Sequence, residues 1–537
     1  MLLLAPLLTA LLLPAPAALA PGVPSRGHVQ DERVFQEVES WLRNFRRGSL
    51  DVREGAGAKR ELEELIVRLR ALRRVRIEMV HEVDLALLDL ASLGLRESFD
   101  LPRLTRERLE ERGIDLERSA ERVRAMGMAG LRSVWTRSWS EEQAGWLARD
   151  VVLLRRQHSD QRRQVAMRLL TELGSSEGLK AVLTVAADER DDLRANALDA
   201  LAGWPDPAAD AFLLAQYDGR ARNDGAPFRL LVQHVQRRRP LPDEVRREVL
   251  VRIDALLADV DWREATRGVE LTRALSPEQV AIPLIDGLDR WVKRMAVAPG
   301  TGAKRVNNDI LRELQSMSGL GIRLDAQAWR NWWERVAAGD VPLKRGTGEG
   351  PQGFSEASFF GLRPASDQVW FVVDLSGSME NSLGTSMSSR YDEAVQQLRS
   401  YLEKAGPQTR FGITLFNGET RRWRNSPQWA SPAHIQAARS WLERQRPEGG
   451  TLLRPAIEEA MKIRSNGKHD LETLEVDTIV VLCDGETDSG PGWVKPFLTR
   501  YNEAARVMFH GVLVGHGGDG TLEALAEGSG GSVARWN

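Results

Sequence analysis

Oxygen-bearing side chains follow two apolar segments near the carboxyl end of the chain. Asp374-Leu375-Ser376-Gly377-Ser378 follows the apolar residues 369–373, and Asp484 follows residues 479–483. Between them, Gly449-Gly450-Thr451 precedes an amphipathic segment. Hydroxyl and carboxylate oxygens are hard ligands that suit Mg2+, with Mn2+ or Ca2+ as substitutes, and they do not favour zinc or copper. The residue types therefore predict a divalent-cation site formed by Asp374, Ser376, Ser378, Thr451 and Asp484.

The spacing Asp-x-Ser-x-Ser predicts an extended turn in which alternate side chains point the same way. Gly377 would let the backbone pass close to an ion. A structural alternative exists for this segment, because serine and aspartate also open helices as N-caps. Asp484 follows another apolar run and Thr451 precedes an amphipathic segment. Their presence favours the cation site over a simple helix cap.

Four short apolar runs alternate with amphipathic segments after residue 367, and these elements must position the candidate ligands. The runs are residues 369–373, 411–416, 479–483 and 507–514. Strands that are apolar throughout and alternate with helices predict a mostly parallel, doubly wound α/β sheet. Ligands of such sheets bind at the carboxyl ends of the strands, which is where the candidate ligands lie.

Residues 367–537 resemble a von Willebrand factor type A (VWA) domain with a complete metal-ion-dependent adhesion site (MIDAS). In that family the first Asp and both Ser come from the loop after the first strand, the Thr from a later loop, and the second Asp from the loop after the fourth strand. The resemblance implies that Ser376, Ser378 and Thr451 coordinate the ion directly or nearly so. It implies that Asp374 and Asp484 act largely through bound water, and that an acidic residue of a protein partner fills the remaining coordination position.

An enzymatic function requires a nucleophile and a base. Ser376 or Ser378 could pair with His510 or His516 and with Asp484, as in a serine hydrolase. No G-x-S-x-G motif surrounds either serine, so we expect no catalytic activity. The glycine-rich segment 515–520 fits G-x-G-x-x-G, but too little chain follows it for a dinucleotide-binding fold, and it is interpreted as a loop before a final helix.

Helical periodicity dominates the chain before residue 340. Residues 62–88 predict one long helix or a helical hairpin. The segment QVAMRLLTELG from Gln164 aligns with LRANALDALAG from Leu193 at an offset of 29 residues, and each is followed by a turn and a second apolar helix. This pattern resembles HEAT-type helical repeats; an irregular helical bundle is the alternative. Trp329, Trp332 and Trp333 close the helical part, and core packing is favoured over a carbohydrate-binding platform.

Composition limits the classes of protein to which the chain can belong. Its 537 residues carry 74 basic and 76 acidic side chains, a formal charge of −2, and 42% of them are hydrophobic. These values argue against a globally basic nucleic-acid-binding protein and a multi-span membrane protein. The single cysteine, Cys483, excludes an internal disulfide and zinc motifs built on paired thiolates.

The first twenty residues are uncharged and rich in leucine, which predicts a secretory signal. An uncleaved N-terminal membrane anchor is the alternative. We therefore expect an exported protein, periplasmic, at the cell surface or secreted. The predicted organisation is a signal peptide (1–20), a helical or coiled region (21–158), HEAT-like repeats (159–340), a linker (341–366) and the VWA domain (367–537).

The sequence as a whole predicts a multidomain, exported, non-enzymatic protein with an all-α region and a C-terminal α/β domain. Its function would be metal-dependent binding of an acidic protein ligand. Two other functions stay open: a scaffold whose helical solenoid is the main binding surface, and an assembly factor acting beside an ATPase, against which the export signal argues.

Overall fold

A computed structural model describes residues 26–47, 50, 52, 57–93, 116–217, 225–238, 240–343, 357–382, 388–485, 487, 490–515 and 517–536. The predicted signal peptide, half of the predicted linker (344–356) and His516 lie outside these residues. In the described part of the chain, no helix combines the length and the apolar character that a membrane span requires.

The chain forms two compact units, residues 1–200 and 201–537. The first is helical in its described residues, as predicted. Its helices are α1 (Arg26–Arg46), α2 (Gly57–Val75), α3 (Val80–Ser92), α4 (Leu116–Ser138), α5 (Glu141–Trp146), α6 (Asp160–Leu173), α7 (Ser176–Ala187) and α8 (Arg194–Ala202), whose last residues enter the second unit. The periodic residues 62–88 form α2 and α3, separated by a 3-10 turn at Ile77–Met79.

The second unit begins with further helices. They are α9 (Pro207–Gln216), α10 (Ala226–Arg237), α11 (Asp243–Ala258), α12 (Trp262–Thr272), α13 (Pro277–Val297), α14 (Ala303–Ser318) and α15 (Ala326–Ala337). The helices on either side of Gly174 and Gly203 match the predicted repeat pairs, although their HEAT-like character and the predicted domain boundaries stay predictions. Trp329 and Trp332 are buried, with their rings edge to face at 5.5 Å, which supports core packing.

The sheet is mostly parallel and doubly wound, as predicted. Its elements are β1 (Gln368–Asp374), α16 (Arg390–Ala405), β2 (Arg410–Phe416), β3 (Thr420–Arg422), β4 (Gln428–Trp429), α17 (Pro432–Leu442), α18 (Leu453–Ala460), β5 (Thr478–Cys483), α19 (Val494–Phe497), α20 (Glu503–Ala505), β6 (Met508–Val514), α21 (Thr521–Ser529) and β7 (Val533–Trp536). The strand order is β3-β2-β1-β5-β6-β7, and β4 pairs with β2. Three short strands, the antiparallel β3 and β4 and the parallel edge strand β7, were not predicted.

Both faces of the sheet are buried because β1 alternates its side chains between two cores. Phe371 and Val373 pack with α16 and α17 on one face. Trp370 and Val372 pack with α18 and α21 on the other. The strand is therefore apolar at every position, which is the pattern that a strand covered by helices on both sides requires.

Trp370 locks the register between β1 and β2. It is paired with Gly412 of β2, and its indole nitrogen donates a hydrogen bond to Thr414 Oγ1 at 3.0 Å. A Cβ atom at Gly412 would lie 2.1 Å from the indole ring, so the ring can cross β2 only above a glycine. This register sets the relative position of the loops that follow β1 and β2.

We expect Gly412→Ala to lower the free energy of unfolding by on the order of 2 kcal/mol, because the added methyl group overpacks the buried indole. Urea unfolding followed by tryptophan fluorescence measures this change. Gly321→Ala is the matched control, since its methyl group would meet no atom within 4 Å. Equal midpoints for the two variants would contradict the proposed role of Gly412.

Helices of the second unit contact the amino-terminal ends of the central strands. The carboxylate of Asp367, one residue before β1, accepts hydrogen bonds from the backbone nitrogens of Gly300 (3.1 Å) and Gly302 (3.0 Å). Arg305 of α14 donates to the carbonyl oxygen of Asp477, one residue before β5 (3.3 Å). The candidate metal ligands lie at the opposite ends of the same strands.

Candidate metal centre

Asp374 is the last residue of β1, and its carboxylate is buried where the strand ends. Oδ1 accepts a hydrogen bond from the backbone nitrogen of Ser376 at 2.7 Å. The predicted extended turn is wrong beyond Ser376, because a 3-10 helix begins at Gly377 and ends at Glu380. This tight turn brings the hydroxyl of Ser378 back towards that of Ser376.

The two serine hydroxyls and one carboxylate from a distant loop form a connected cluster. Ser376 Oγ lies 3.0 Å from Ser378 Oγ, and Ser378 Oγ donates to Asp484 Oδ1 at 2.9 Å. Asp484 follows β5, which is hydrogen-bonded to β1 in parallel, so both loops emerge at the same sheet edge. The structure thus brings together three of the predicted ligands from segments about a hundred residues apart.

Thr451 reaches the same edge because the backbone of its neighbours is hydrogen-bonded there. Gly377 N donates to the carbonyl oxygen of Gly449 (3.3 Å), and Leu452 N donates to that of Asn417, in the loop after β2 (2.8 Å). The loop that carries Thr451 therefore packs beside the Asp374–Ser378 loop. All five predicted ligands are described, and Thr451 is the one whose side chain makes no hydrogen bond to the other four.

The environment of Asp374 fits a cation. Its Oδ2 atom is buried and has no hydrogen-bond partner. Burial raises the pKa of this carboxyl to about 6, with a smaller contribution from the charge of Asp484, while hydrogen bonds with Ser376 and the Cys483 thiol act in the opposite direction. A buried carboxylate oxygen without a partner is costly, and a positive charge placed beside it would remove that cost. The residues present therefore fit a divalent cation.

The ligand set consists mainly of neutral oxygens. In the described residues, no group of three or more His, Cys, Asp or Glu side chains is arranged to hold a metal ion. Two of the five predicted ligands are carboxylates, so the hydroxyls of Ser376, Ser378 and Thr451 would have to supply further ligands. Such an oxygen set matches the preference of Mg2+.

Arg390, the first residue of α16, was not predicted as part of the site. Its Nη1 atom donates to Asp484 Oδ2 at 2.5 Å. A sequence signal for its position does exist, since Ser389 and Asp392 form a capping box that places the intervening Arg390 in the first helical turn. Nothing in the sequence links that turn to Asp484, which lies 94 residues away.

The glycine-rich segment after β6 packs against the loop of Asp484. A Cβ atom at Gly517 would lie 2.8 Å from the carbonyl oxygen of Asp484. The carboxylate of Asp519 accepts hydrogen bonds from the backbone nitrogen of Thr487 (2.9 Å) and from its hydroxyl (2.7 Å). The glycines therefore allow close packing of two loops at this edge.

The described histidine of the hydrolase alternative lies away from the serines. His510 is within β6, paired with Val480, and its Nδ1 atom bonds to Ser532. Burial, assisted by the charges of Arg305 and Arg312, lowers the pKa of His510 to about 4. Asp484 lies beyond the end of the neighbouring strand, so a Ser–His510–Asp484 arrangement is not formed.

Comparison with solved structures gives low overall similarity. Over 32% of this chain and 89% of the other, the conserved hypothetical protein BatB from Bacteroides thetaiotaomicron is 20% identical, with a TM-score of 0.24.

Sequence comparison gives a more specific result for the C-terminal part. Inter alpha-trypsin inhibitor, heavy chain 4, from Mus musculus is 29% identical over 181 residues, which are 32% of this chain and 18% of that protein. Inter-alpha-trypsin inhibitor heavy chain H2 from Homo sapiens is 28% identical over 131 residues, 24% of this chain and 13% of that protein. The chain thus covers less than a fifth of these relatives. Residues 369–486 match the von Willebrand factor type A domain family (VWA_2), and the chain therefore contains a VWA domain with homology to inter-alpha-trypsin inhibitor heavy chains.

Proposed function

We propose that this chain is an exported, non-enzymatic binding protein whose VWA domain captures an acidic group of a protein partner through a divalent cation. Mg2+ is the proposed ion, with Mn2+ or Ca2+ as substitutes. Ser376, Ser378 and Thr451 would hold it by their hydroxyls, and Asp374 and Asp484 by their charge. The bound cation would supply an electrophilic position for a carboxylate of the partner.

One observation carries this proposal. The hydroxyls of Ser376 and Ser378 meet the carboxylate of Asp484. The loop of the two serines also carries Asp374, whose Oδ1 atom accepts a hydrogen bond from Ser376 N and whose Oδ2 atom is buried without a partner. Buried polar atoms are normally hydrogen-bonded, and a cation at this sheet edge would give the unpartnered carboxylate oxygen of Asp374 a partner. Homology to heavy chains of inter-alpha-trypsin inhibitor supports a role in protein interaction rather than catalysis.

Export rests on the apolar first twenty residues, which lie outside the described part. A pull-down from the native envelope or medium, with Mg2+ and then with chelator, tests the partner and its metal dependence together. Capture that is lost with the chelator supports the VWA site. Capture that ignores the chelator would favour the helical solenoid as the binding surface.

Calorimetric titration of the full chain tests the metal site directly. We expect Mg2+ to bind weakly alone and more tightly when a blocked Gly-Asp-Gly peptide is present, because the peptide carboxylate supplies a charged ligand to the cation. A Gly-Asn-Gly peptide is the control and should have no effect. Absence of Mg2+ binding in both conditions would contradict the proposed function.

We expect Thr451→Ala to keep the fold and to weaken Mg2+-dependent peptide binding by roughly 10-fold or more, as loss of a ligand or of its support does in metal sites. Thr473→Ala is the matched control, because Thr473 is an exposed threonine of another loop of the same domain. Circular dichroism checks the fold of both variants. If Thr451→Ala unfolds the domain, Thr451 is mainly structural.

A further inference from the structure

The side chain of Arg390 is hydrogen-bonded to Asp484, one of the two carboxylates of the candidate metal site. Nη1 of Arg390 lies 2.5 Å from Asp484 Oδ2, while Asp484 Oδ1 accepts the hydrogen bond of Ser378. The carboxylate of Asp484 is almost fully buried, and the arginine side chain is one-fifth exposed. A buried, charge-assisted hydrogen bond of this length is a strong interaction.

The fold places this guanidinium, so the contact is not that of a free surface side chain. Ser389 and Asp392 form a capping box around the first turn of α16, and the backbone nitrogen of Arg390 donates to the carbonyl oxygen of Asn381 at 2.9 Å. Across the site, a Cβ atom at Gly515 would lie 2.9 Å from Nη2 of Arg390 and 3.1 Å from its Cζ atom. The guanidinium therefore lies on the backbone of Gly515, where a larger residue would collide with it.

The summed charge of the five predicted ligands and Arg390 changes sign when a cation enters. Asp374 and Asp484 contribute two negative charges, Arg390 contributes one positive charge, and the three hydroxyls are neutral. A divalent cation would then leave the site with one net positive charge. Without Arg390 the same loaded site would be neutral.

We propose that Arg390 weakens the binding of the divalent cation and strengthens the binding of an acidic ligand to the cation-loaded site. This inference rests on the proposed function of the same site. The guanidinium of Arg390 competes with the divalent cation for the carboxylate of Asp484, and its positive charge repels that cation. Once the cation is bound, the extra positive charge attracts a carboxylate, and the freed guanidinium offers it a two-pronged hydrogen-bond donor. Arg390 is thus a positioning residue that couples occupancy by the metal to capture of the ligand.

Neutralising Arg390 is expected to strengthen Mg2+ binding and to weaken peptide binding. A purely structural role of Arg390 would not change the two affinities in opposite directions. In Arg390→Gln we expect Mg2+ alone to bind about 10-fold more tightly, because a like charge within a few ångströms shifts such equilibria by about a factor of 10 or more. We expect the Mg2+-loaded variant to bind the Gly-Asp-Gly peptide about 10-fold more weakly. Arg390→Lys keeps the charge and should stay close to the wild type for Mg2+ while losing part of the peptide affinity.

Isothermal titration calorimetry of the full chain measures both constants, first with Mg2+ and then with peptide at saturating Mg2+. Arg399→Gln is the matched control, because Arg399 is an exposed arginine of the same helix that pairs with Glu403. Arg390→Met serves as a second neutral variant if the glutamine variant does not fold. Equal or weaker Mg2+ binding by the neutral variant overturns the inference, and so does unchanged peptide affinity. Absence of Mg2+ binding by the wild type would instead reject the proposed function.

Discussion

Replacing Asp374 with asparagine is expected to weaken Mg2+ binding on the order of 10- to 100-fold while making the chelator-treated protein more stable. The loss of affinity follows from removing the charge of the carboxylate whose Oδ2 atom has no protein partner. Asparagine keeps the size of the side chain and the acceptor for the backbone nitrogen of Ser376, so the loop is expected to keep its conformation.

The gain in stability follows from the raised pKa of Asp374. Burial raises this pKa to about 6, so the folded protein holds the proton more tightly than the unfolded chain does. Such a group stabilises the fold fully only at low pH, and its contribution is lost as the pH rises towards 6. At pH 8 the buried charge therefore costs on the order of 3 kcal/mol, which the asparagine removes. Urea unfolding in chelator at pH 8 measures this difference.

Asp340→Asn is the control for Asp374→Asn, because Asp340 is an exposed carboxylate and its replacement should change neither quantity. A variant that loses Mg2+ affinity and stability together would show that Asp374 mainly supports the loop. A variant that keeps full Mg2+ affinity would remove Asp374 from the site. The expected combination, weaker binding with higher stability, is that of a residue retained for binding at a cost to the fold.

The second large effect concerns the opposite edge of the sheet, where Asp477 and Asp367 lie close together. Burial raises the pKa of Asp477 to about 8, and the charge of Asp367 adds to this rise. Burial also raises the pKa of Asp367, against the opposing charge of Lys304. The Oδ1 atom of Asp477 accepts hydrogen bonds from Ser366 and Thr478, and its Oδ2 atom has no partner.

We expect Asp477→Asn to flatten the pH dependence of stability. An acid whose pKa is raised on folding stabilises the folded state at low pH, and this contribution is lost as the pH rises through the interval from about 4 to about 8. For Asp477 the loss between about pH 5 and pH 8 is roughly 3 kcal/mol. Asparagine cannot ionise, so the variant should exceed the wild type in unfolding free energy at pH 8 by more than at pH 5.

Urea unfolding of Asp477→Asn and wild type at several pH values measures the difference between the two curves. Asp340→Asn again serves as the control, and its curve should run parallel to that of the wild type. If the Asp477→Asn curve also runs parallel to the wild type, Asp477 is ionised at the same pH in the folded and unfolded states. This result would contradict the raised pKa of the buried Asp477.

The main strands were predictable because each has a strong local pattern. The predicted apolar runs are residues 369–373, 411–416, 479–483 and 507–514. Each coincides with a strand that helices cover on both faces or that pairs with neighbours on both sides, and only Val507 lies just outside its strand. The three missed strands carry no such pattern. β3 is Thr-Arg-Arg, β4 has two residues and β7 is a half-exposed edge strand. Their pairing depends on a neighbouring strand that is already in place.

The candidate ligands were predictable for a different reason. In a parallel sheet, the residue after each strand must lie at one edge, so Asp374 and Asp484 could be placed there from their order alone. The 3-10 turn that brings Ser378 to Ser376 was missed, because such a turn satisfies backbone groups locally and leaves little trace in the apolar pattern. Thr451 needed the contact of its loop with Asn417 and Gly377 to be placed beside the serines.

The amino-acid sequence by itself determined which oxygen ligands stand after which strands, because local periodicity and strand order are properties of short segments. Only the tertiary structure decided that Arg390 reaches Asp484 and that Asp367 meets Asp477. Both contacts join segments separated by about a hundred residues, and their distance depends on how the whole sheet and its helices pack. Packing can place charges together that no local pattern connects, and these charges set the expected affinity of the site and the pH dependence of the fold.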